Sequence, residues 1–354
     1  MKLASSRRLA TLTWGAIPIV AVGTLLSLES IPGTDIPLTV PYAAEGPGPT
    51  VDTLGSVDEV EVVDVKAPKT FETDGQLNMT TVSVRTRMSL AQALGRWLTT
   101  DDTIVPIDTV MPPNVSEEDF RKANQQAFSR SESAATITAM DYLNIPVQVK
   151  VAGVMEDSAA ADVIKADDLI VAVDGKEVSE PSEVQEIVQG KKPGDTVKLR
   201  IERAGKERNE TITLKEHPDD AEIALLGITM TSTPGQGIDV TYNLQDIGGP
   251  SAGMMFSLAV IDKLSEKELT GGKFVAGTGT IAENGEVGPI GGIEHKVRAA
   301  QEAGAELFLA PTKNCEAATS RDYGDMAIAA VDNIDDAVSA MEAFSQGKDF
   351  TTCD

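Results

Sequence analysis

The sequence predicts an α+β protein with two globular modules behind one N-terminal transmembrane helix. Three observations lead there. A basic tip precedes an uncharged apolar run; a mid-chain block holds short strands separated by Asp-Gly and Gly turns; strand alternation and helical periodicity both occur on either side of that block. At 354 residues and 41% hydrophobic, the chain is long enough for two domains with sizeable cores.

Lys2, Arg7 and Arg8 form the tip, residues 1–8, ahead of the uncharged run at residues 9–28. At about 1.5 Å per residue that run is about 30 Å long, the hydrocarbon thickness of a bilayer. No good small-x-small site follows it closely, which favours an uncleaved anchor over a signal peptide. The basic flank expects the tip in the cytoplasm and everything after residue 28 outside it, making a single-pass membrane protein. That side permits disulfides, so Cys315 and Cys353 are a candidate bridge, with two free thiols as the alternative.

Composition excludes several function classes. A net charge of −25, from 55 acidic and 30 basic residues, argues against nucleic-acid binding by counterion release. His217, His295, Cys315 and Cys353 are scattered without ligand spacing, so no metal is expected. No G-x-x-x-x-G-K-[ST] loop occurs, so no ATP-driven motor of that type is expected, nor any cofactor.

Residues 29–69 include Gly46-Pro47-Gly48-Pro49-Thr50, a composition that resists helix and reads as an extended stalk or docking segment. Residues 60–65 and 77–84 have strand character. Ser116, with Asp119 three residues on, caps a helix running to Leu143, with Phe120, Phe128, Ile137 and Met140 available for one buried face. These elements make residues 70–144 the first part of the larger module.

The pattern changes over residues 145–217. Alternation in Val147–Val151 gives a strand, and Ser158-Ala159-Ala160-Ala161 begins a short helix. Residues 169–173 give a strand ending at the Asp174-Gly175 turn. A helix over 182–188 and strands over 194–203 and 210–214 follow. This order resembles a bacterial PDZ domain, a fold whose members capture a peptide C-terminus by strand addition. Asp167 departs from the glycine usual there, and Tyr142-Leu143-Asn144-Ile145 is a weak match to a carboxylate-binding loop. A lid or spacer role for the PDZ fold stays open.

In the remainder, residues 218–345 with a tail at 346–354, one serine and one lysine stand out. Gly248, Gly249 and Gly253 surround Ser251, and Pro250 suits the first turn of a helix. Ser251 at a helix N-terminus would have backbone N–H groups for an oxyanion, with Gly249, Pro250 and Ala252 shaping the turn. A serine nucleophile needs a base, and the two histidines are poorly placed. Lys296 lies 45 residues on, among Ile290, Ile293 and Val297. An ordinary lysine is neutral in only about one molecule in 2,500 at pH 7. Apolar packing would have to bring its pKa to about 7–8 for it to act as base.

Gly249-Pro250-Ser251-Ala252-Gly253 and the run from Thr278-Gly279 through Gly285, Val287, Pro289-Ile290-Gly291-Gly292 to Lys296 resemble the Lon-type proteolytic domain, peptidase family S16. The resemblance implies Ser251 as nucleophile, Lys296 as general base and Thr278 as the lysine's hydrogen-bond partner. Thr280 departs from the acidic residue often found after T-G. Arg130-Ser131-Glu132-Ser133-Ala134-Ala135 resembles that domain's M-x-E-S-A helix, so the PDZ unit is expected as an insertion into the Lon-type domain.

The layout resembles the membrane-anchored, PDZ-containing Lon-like proteases of Gram-positive bacteria. It implies an ATP-independent serine endopeptidase acting on peptides or unfolded, membrane-proximal proteins, in a homo-oligomer such as a hexameric ring. A PDZ-based peptide-binding adaptor or holdase with a silent protease fold is the alternative.

Overall fold

The computed structural model describes residues 16–353 apart from 17, 19, 21, 35, 114, 219 and 245–248. The expected cytoplasmic tip and much of the expected span at 9–28 lie outside the described residues. Among the described residues no helix is long and apolar enough to cross a membrane.

The chain opens with β1 (Tyr42–Asp52), β2 (Val63–Lys66), β3 (Gln76–Arg85), α1 (Leu90–Thr99), β4 (Thr103–Pro106) and α2 (Glu117–Tyr142). Ser116 caps α2 by accepting the Asp119 N–H at 3.1 Å. Next come β5 (Val147–Val154), β6 (Leu169–Val173), α3 (Pro181–Gln189), β7 (Thr196–Arg203), β8 (Lys206–Thr213) and β9 (Ile228–Pro234). The last stretch holds β10 (Asp239–Tyr242), α4 (Gly253–Leu264), β11 (Phe274–Gly277), α5 (Ile293–Ala303), β12 (Leu307–Pro311), β13 (Ala327–Val331) and α6 (Ile334–Ser345).

Two sheets carry the fold. The first has the order β13-β12-β11-β3-β1-β4, with β13, β12, β11 and β3 parallel and β1 and β4 antiparallel. The second, β8-β7-β6-β5-β9, is antiparallel and surrounds its own apolar core, including Val149, Ile170, Val184 and Leu199. The second unit therefore runs on to β9, past the His217 boundary that the sequence pattern gives.

The Gly-Pro segment is not a free stalk. Residues 42–52 form β1, paired to β3 on one side and β4 on the other. Pro and Gly oppose helix but not an extended strand, and the register shift between Pro47 and Thr50 absorbs the missing proline N–H groups. Gly48 is required by close approach: a Cβ there would sit 2.3 Å from Thr81 Oγ1.

Helix α4 is buried on every side from Gly253 to Lys263, so its apolar run carries no amphipathic stripe. It packs under α2, where Phe128 meets Phe256 edge-on with ring centroids 5.7 Å apart. Gly253 admits no larger residue, since a Cβ would lie 2.5 Å from Ser131 Oγ and 2.6 Å from Ile281 Cγ2.

The tail returns to the sheet. Ala330 N–H donates to Thr351 O and Cys353 N–H to Ile328 O, both at 3.0 Å, and Cys315 is disulfide-bonded to Cys353 across 38 residues. Cys353→Ser is expected to lower unfolding stability by about 2–4 kcal/mol. Urea denaturation followed by circular dichroism checks this; an unchanged midpoint would mean that the tail adds nothing to the fold.

Candidate functional site

The turn before α4 is tied down on three sides. Gly249 takes a left-handed φ of +92°, which reverses the chain, and its N–H donates to Asn124 O on α2 at 3.2 Å. Ser131 Oγ donates to Pro250 O at 3.0 Å, so the Arg130–Ala135 stretch of α2 touches this turn directly. Gly279 N–H and Thr278 Oγ1 each donate to Ser251 O at 2.9 Å. Ala252 is the N-cap and the helix starts at Gly253, so Pro250 lies outside the helix and not in its first turn. Having no N–H, Pro250 contributes only shape. Ser251 stands at the partly positive end of α4.

Lys296 comes from the first turns of α5, which begins where the left-handed Gly292 lets the chain pass against Val82; a Cβ at Gly292 would lie 2.8 Å from Val82 Cγ2. The lysine is 3% exposed. Its Nζ donates to Ser251 Oγ at 2.8 Å and to the fully buried Thr278 Oγ1 at 2.9 Å. Both partners are neutral hydroxyls. Lys263 makes the contrast: nearly as buried, it pairs with Glu61 Oε2 at 2.7 Å and Val63 O at 2.6 Å. With no such partner, burial pulls the Lys296 pKa down to about 8. A neutral amine within hydrogen-bond reach of a hydroxyl can take its proton.

Ser251 and Lys296 open on a cleft of about 620 Å³, walled by Met79 to Val82 of β3 on one side and by Pro289 to Gly291 on the other. Strand β11 stops at the pair Gly277–Met79. Beyond it, residues 80–85 of β3 keep β1 as neighbour but have no strand on the cleft side among the described residues. Thr280 also lines the cleft and sits against Gly288, where a Cβ would approach Thr280 Oγ1 to 2.3 Å.

Sequence reasoning missed Asn314. Its Oδ1 accepts the Ile290 N–H at 2.9 Å and its Nδ2 donates to Ile290 O at 3.0 Å, holding the cleft wall by both backbone groups. The next residue, Cys315, carries the disulfide. An isolated asparagine 24 residues from its partner gives no local signal. His295 is buried beside Lys296 and takes no part in the contacts with Ser251.

A second cleft, of about 450 Å³, lies between α3 and β9 and is lined by Val184, Val188, Leu226, Ile228 and Met230. The loop across its end is Leu226-Gly227-Ile228, not the expected Tyr142–Ile145, which falls at the C-terminal end of α2. Leu226 O and Gly227 O accept the N–H groups of Ala160 and Met155, at 3.1 and 2.9 Å. Because C=O and N–H of a trans peptide point oppositely, the N–H groups of Gly227 and Ile228 face the other way. Gly227 needs its φ of +80° and its bareness, since a Cβ would lie 2.1 Å from Ser158 Cβ. Asp167 also has positive φ, +68°, which accounts for the glycine usual at that position.

Comparison with known proteins matches both units. Residues 119–214 match the PDZ domain family, and residues 245–342 match the C-terminal proteolytic domain of Lon protease (S16). A Lon protease of Roseiflexus castenholzii is 46% identical over 66 residues, covering 19% of this chain and 8% of that protein. A Lon protease of Campylobacter jejuni is 37% identical over 103 residues, covering 29% of this chain and 12% of that protein. The chain thus spans only about a tenth of the length of these relatives. The PDZ domain of an SdrC-like protein from Listeria monocytogenes is 34% identical over 23% of this chain and 85% of its own, with a TM-score of 0.22. The chain carries the C-terminal proteolytic domain of the Lon serine peptidases, family S16, together with a PDZ domain.

Proposed function

We propose that the protein is an ATP-independent serine endopeptidase with a Ser251–Lys296 dyad, tethered through residues 9–28 and working outside the cytoplasm. The observation that carries the dyad is the 2.8 Å contact between Lys296 Nζ and Ser251 Oγ, in a site where the lysine has no carboxylate partner among the described residues. With a pKa of about 8, roughly one lysine in ten is neutral at pH 7.

In the reaction, neutral Lys296 takes the Ser251 proton as Oγ attacks the peptide carbonyl. Backbone N–H groups at the start of α4, with the helix dipole behind them, stabilise the oxyanion. The protonated lysine then gives its proton to the leaving amine. Neutral again, it draws a proton from the water that hydrolyses the ester of Ser251. Thr278 keeps the amine aimed by accepting its second hydrogen bond at 2.9 Å.

The open edge of β3 suits an extended peptide, added as a strand beside residues 80–85. A folded protein does not present such a strand, so substrates are peptides, unfolded chains or flexible segments near the membrane. The PDZ groove between α3 and β9 would hold a peptide C-terminus, with Gly227 and Ile228 N–H groups at its carboxylate. Assembly into a ring, as the family resemblance implies, would restrict entry further.

Ser251→Ala and Lys296→Met are each expected to reduce cleavage of casein by about a thousandfold or more with unchanged circular dichroism. A silent adaptor would instead leave casein intact in the parent protein as well. Activity needs the unprotonated lysine, so kcat/KM is expected to rise about tenfold per pH unit below pH 8 and level off above it. Initial rates on a fluorogenic peptide from pH 6 to 10 check this; a flat profile through pH 8 contradicts Lys296 as the base.

A further inference from the structure

Helix α1 carries an apolar stripe that none of the other described residues covers. Leu90, Leu94, Trp97 and Leu98 are 39%, 44%, 64% and 70% exposed. Their positions fall within about 100° of the helix circumference. The helix is well made: Ser89 and Gln92 form a reciprocal capping box. Its inner face is seated, since Ala93 packs with Met88 and Ala44 against β1. The exposed stripe therefore does not come from a loosely placed element.

Its position relative to the N-terminal apolar run identifies what covers it. Residues 29–38 close on themselves: Leu38 N–H donates to Glu29 O at 2.9 Å and Ile31 N–H to Ile36 O at 3.1 Å. This turn brings the end of the run, at residue 28, back beside Leu38. The next residue, Thr39, bridges to Ser89, the N-cap of α1, and Val40 N–H donates to Met88 O at 2.9 Å. The run thus ends within a few residues of the start of α1. Its described part is apolar and exposed at Val20, Val22, Leu25 and Leu26. The hydroxyls of this described part bond back to the helix, Thr24 Oγ1 donating to Val20 O and Ser27 Oγ to Gly23 O, both at 2.8 Å. That is how a polar side chain is carried in an apolar solvent.

Charge points the same way. In a chain of net charge −25, exposed Arg85 precedes the helix. The acids that follow it are already paired, Asp102 with Arg96 and Asp101 with Arg298 of α5.

We propose that α1 lies in the interface of the bilayer, with Leu90, Leu94, Trp97 and Leu98 immersed at headgroup depth and Arg85 at anionic headgroups. An apolar face of tryptophan and leucine beside a basic residue suits an interfacial helix. The Asp101–Arg298 pair ties the turn after this helix to α5, which bears Lys296, so membrane contact at α1 would bear on how the cleft faces the lipid surface. The inference rests on reading residues 9–28 as a membrane anchor, and the experiment separates the two.

The chain has two tryptophans, Trp14 in the apolar run and Trp97. The full chain is placed in vesicles of phosphatidylcholine and phosphatidylglycerol, once as Trp14→Phe and once as Trp97→Phe. Quenching is read with lipid brominated near the headgroup end or near the tail end of its acyl chain. In Trp14→Phe, Trp97 emission should fall at least roughly twofold, more with the headgroup-proximal bromine than with the deep one. Adding Leu94→Gln and Leu98→Gln should abolish that quenching. Quenching of Trp14 without quenching of Trp97 overturns the proposal and leaves the anchor standing. Quenching of neither overturns both. Shielding of Trp97 from acrylamide without bromolipid quenching also overturns it, in favour of a second copy of the chain or another protein on the helix.

Discussion

A buried ammonium group with no counter-ion among the described residues is the constraint on which the rest of this structure depends. Moving the Lys296 pKa from 10.5 to about 8 corresponds to roughly 3 kcal/mol set against the charged form. The folded pKa is the depressed one. The folded state therefore bears the whole cost below about pH 8, and the cost fades as pH rises toward the unfolded value of about 10.4. The surrounding packing has to offset that cost. Helix α4 is buried throughout and Val297 and Ile293 of α5 are sealed in the core. Glycines at 253, 277 and 292 let helices, strands and the Ser251 turn approach to distances that a side chain would forbid.

The same arrangement explains the division of labour between the two units. The mixed sheet supplies the rigid frame: β3 is its central strand, β11 ends early beside it, and the gap is the cleft. Asn314 fixes the opposite wall, and the disulfide at Cys315 binds the C-terminal strand-like tail to the sheet edge. The PDZ unit has its own core and its own groove, and α2 leads directly into its β5. Helix α2 is thus shared scaffolding, since it also holds the Ser251 turn through Asn124 and Ser131.

Much of this was legible in the sequence because it is locally encoded. The Ser116 cap, the 2-residue and 3.6-residue periodicities, and the Asp174-Gly175 turn each follow from short-range chemistry. The pairing of Ser251 with Lys296 was legible for another reason: the glycines, Pro289 and Thr278 stand in a fixed order between them. What the sequence hides is long-range. Nothing in Gly46–Thr50 reveals that its strand partner is Thr80 to Ser83, because the pairing depends on a bulge and on a bare Gly48. The groove of the PDZ unit ends at residues 226–228 and not at 142–145, because β9, the last strand in chain order, closes the sheet beside β5. Asn314 touches the cleft only through a backbone 24 residues away.

The central claim is that burial next to Ser251 lowers the Lys296 pKa enough for its neutral form to act as base. It is tested most directly by titrating that one amine in the folded protein. With lysines labelled with carbon-13 at Cε, the Lys296 resonance is assigned by its loss in Lys296→Met and followed from pH 6 to 11. The account predicts a midpoint near 8, set by desolvation. A midpoint near the ordinary lysine value of about 10.4 would contradict it, since only about one lysine in 2,500 would then be neutral at pH 7, too few to serve as the base.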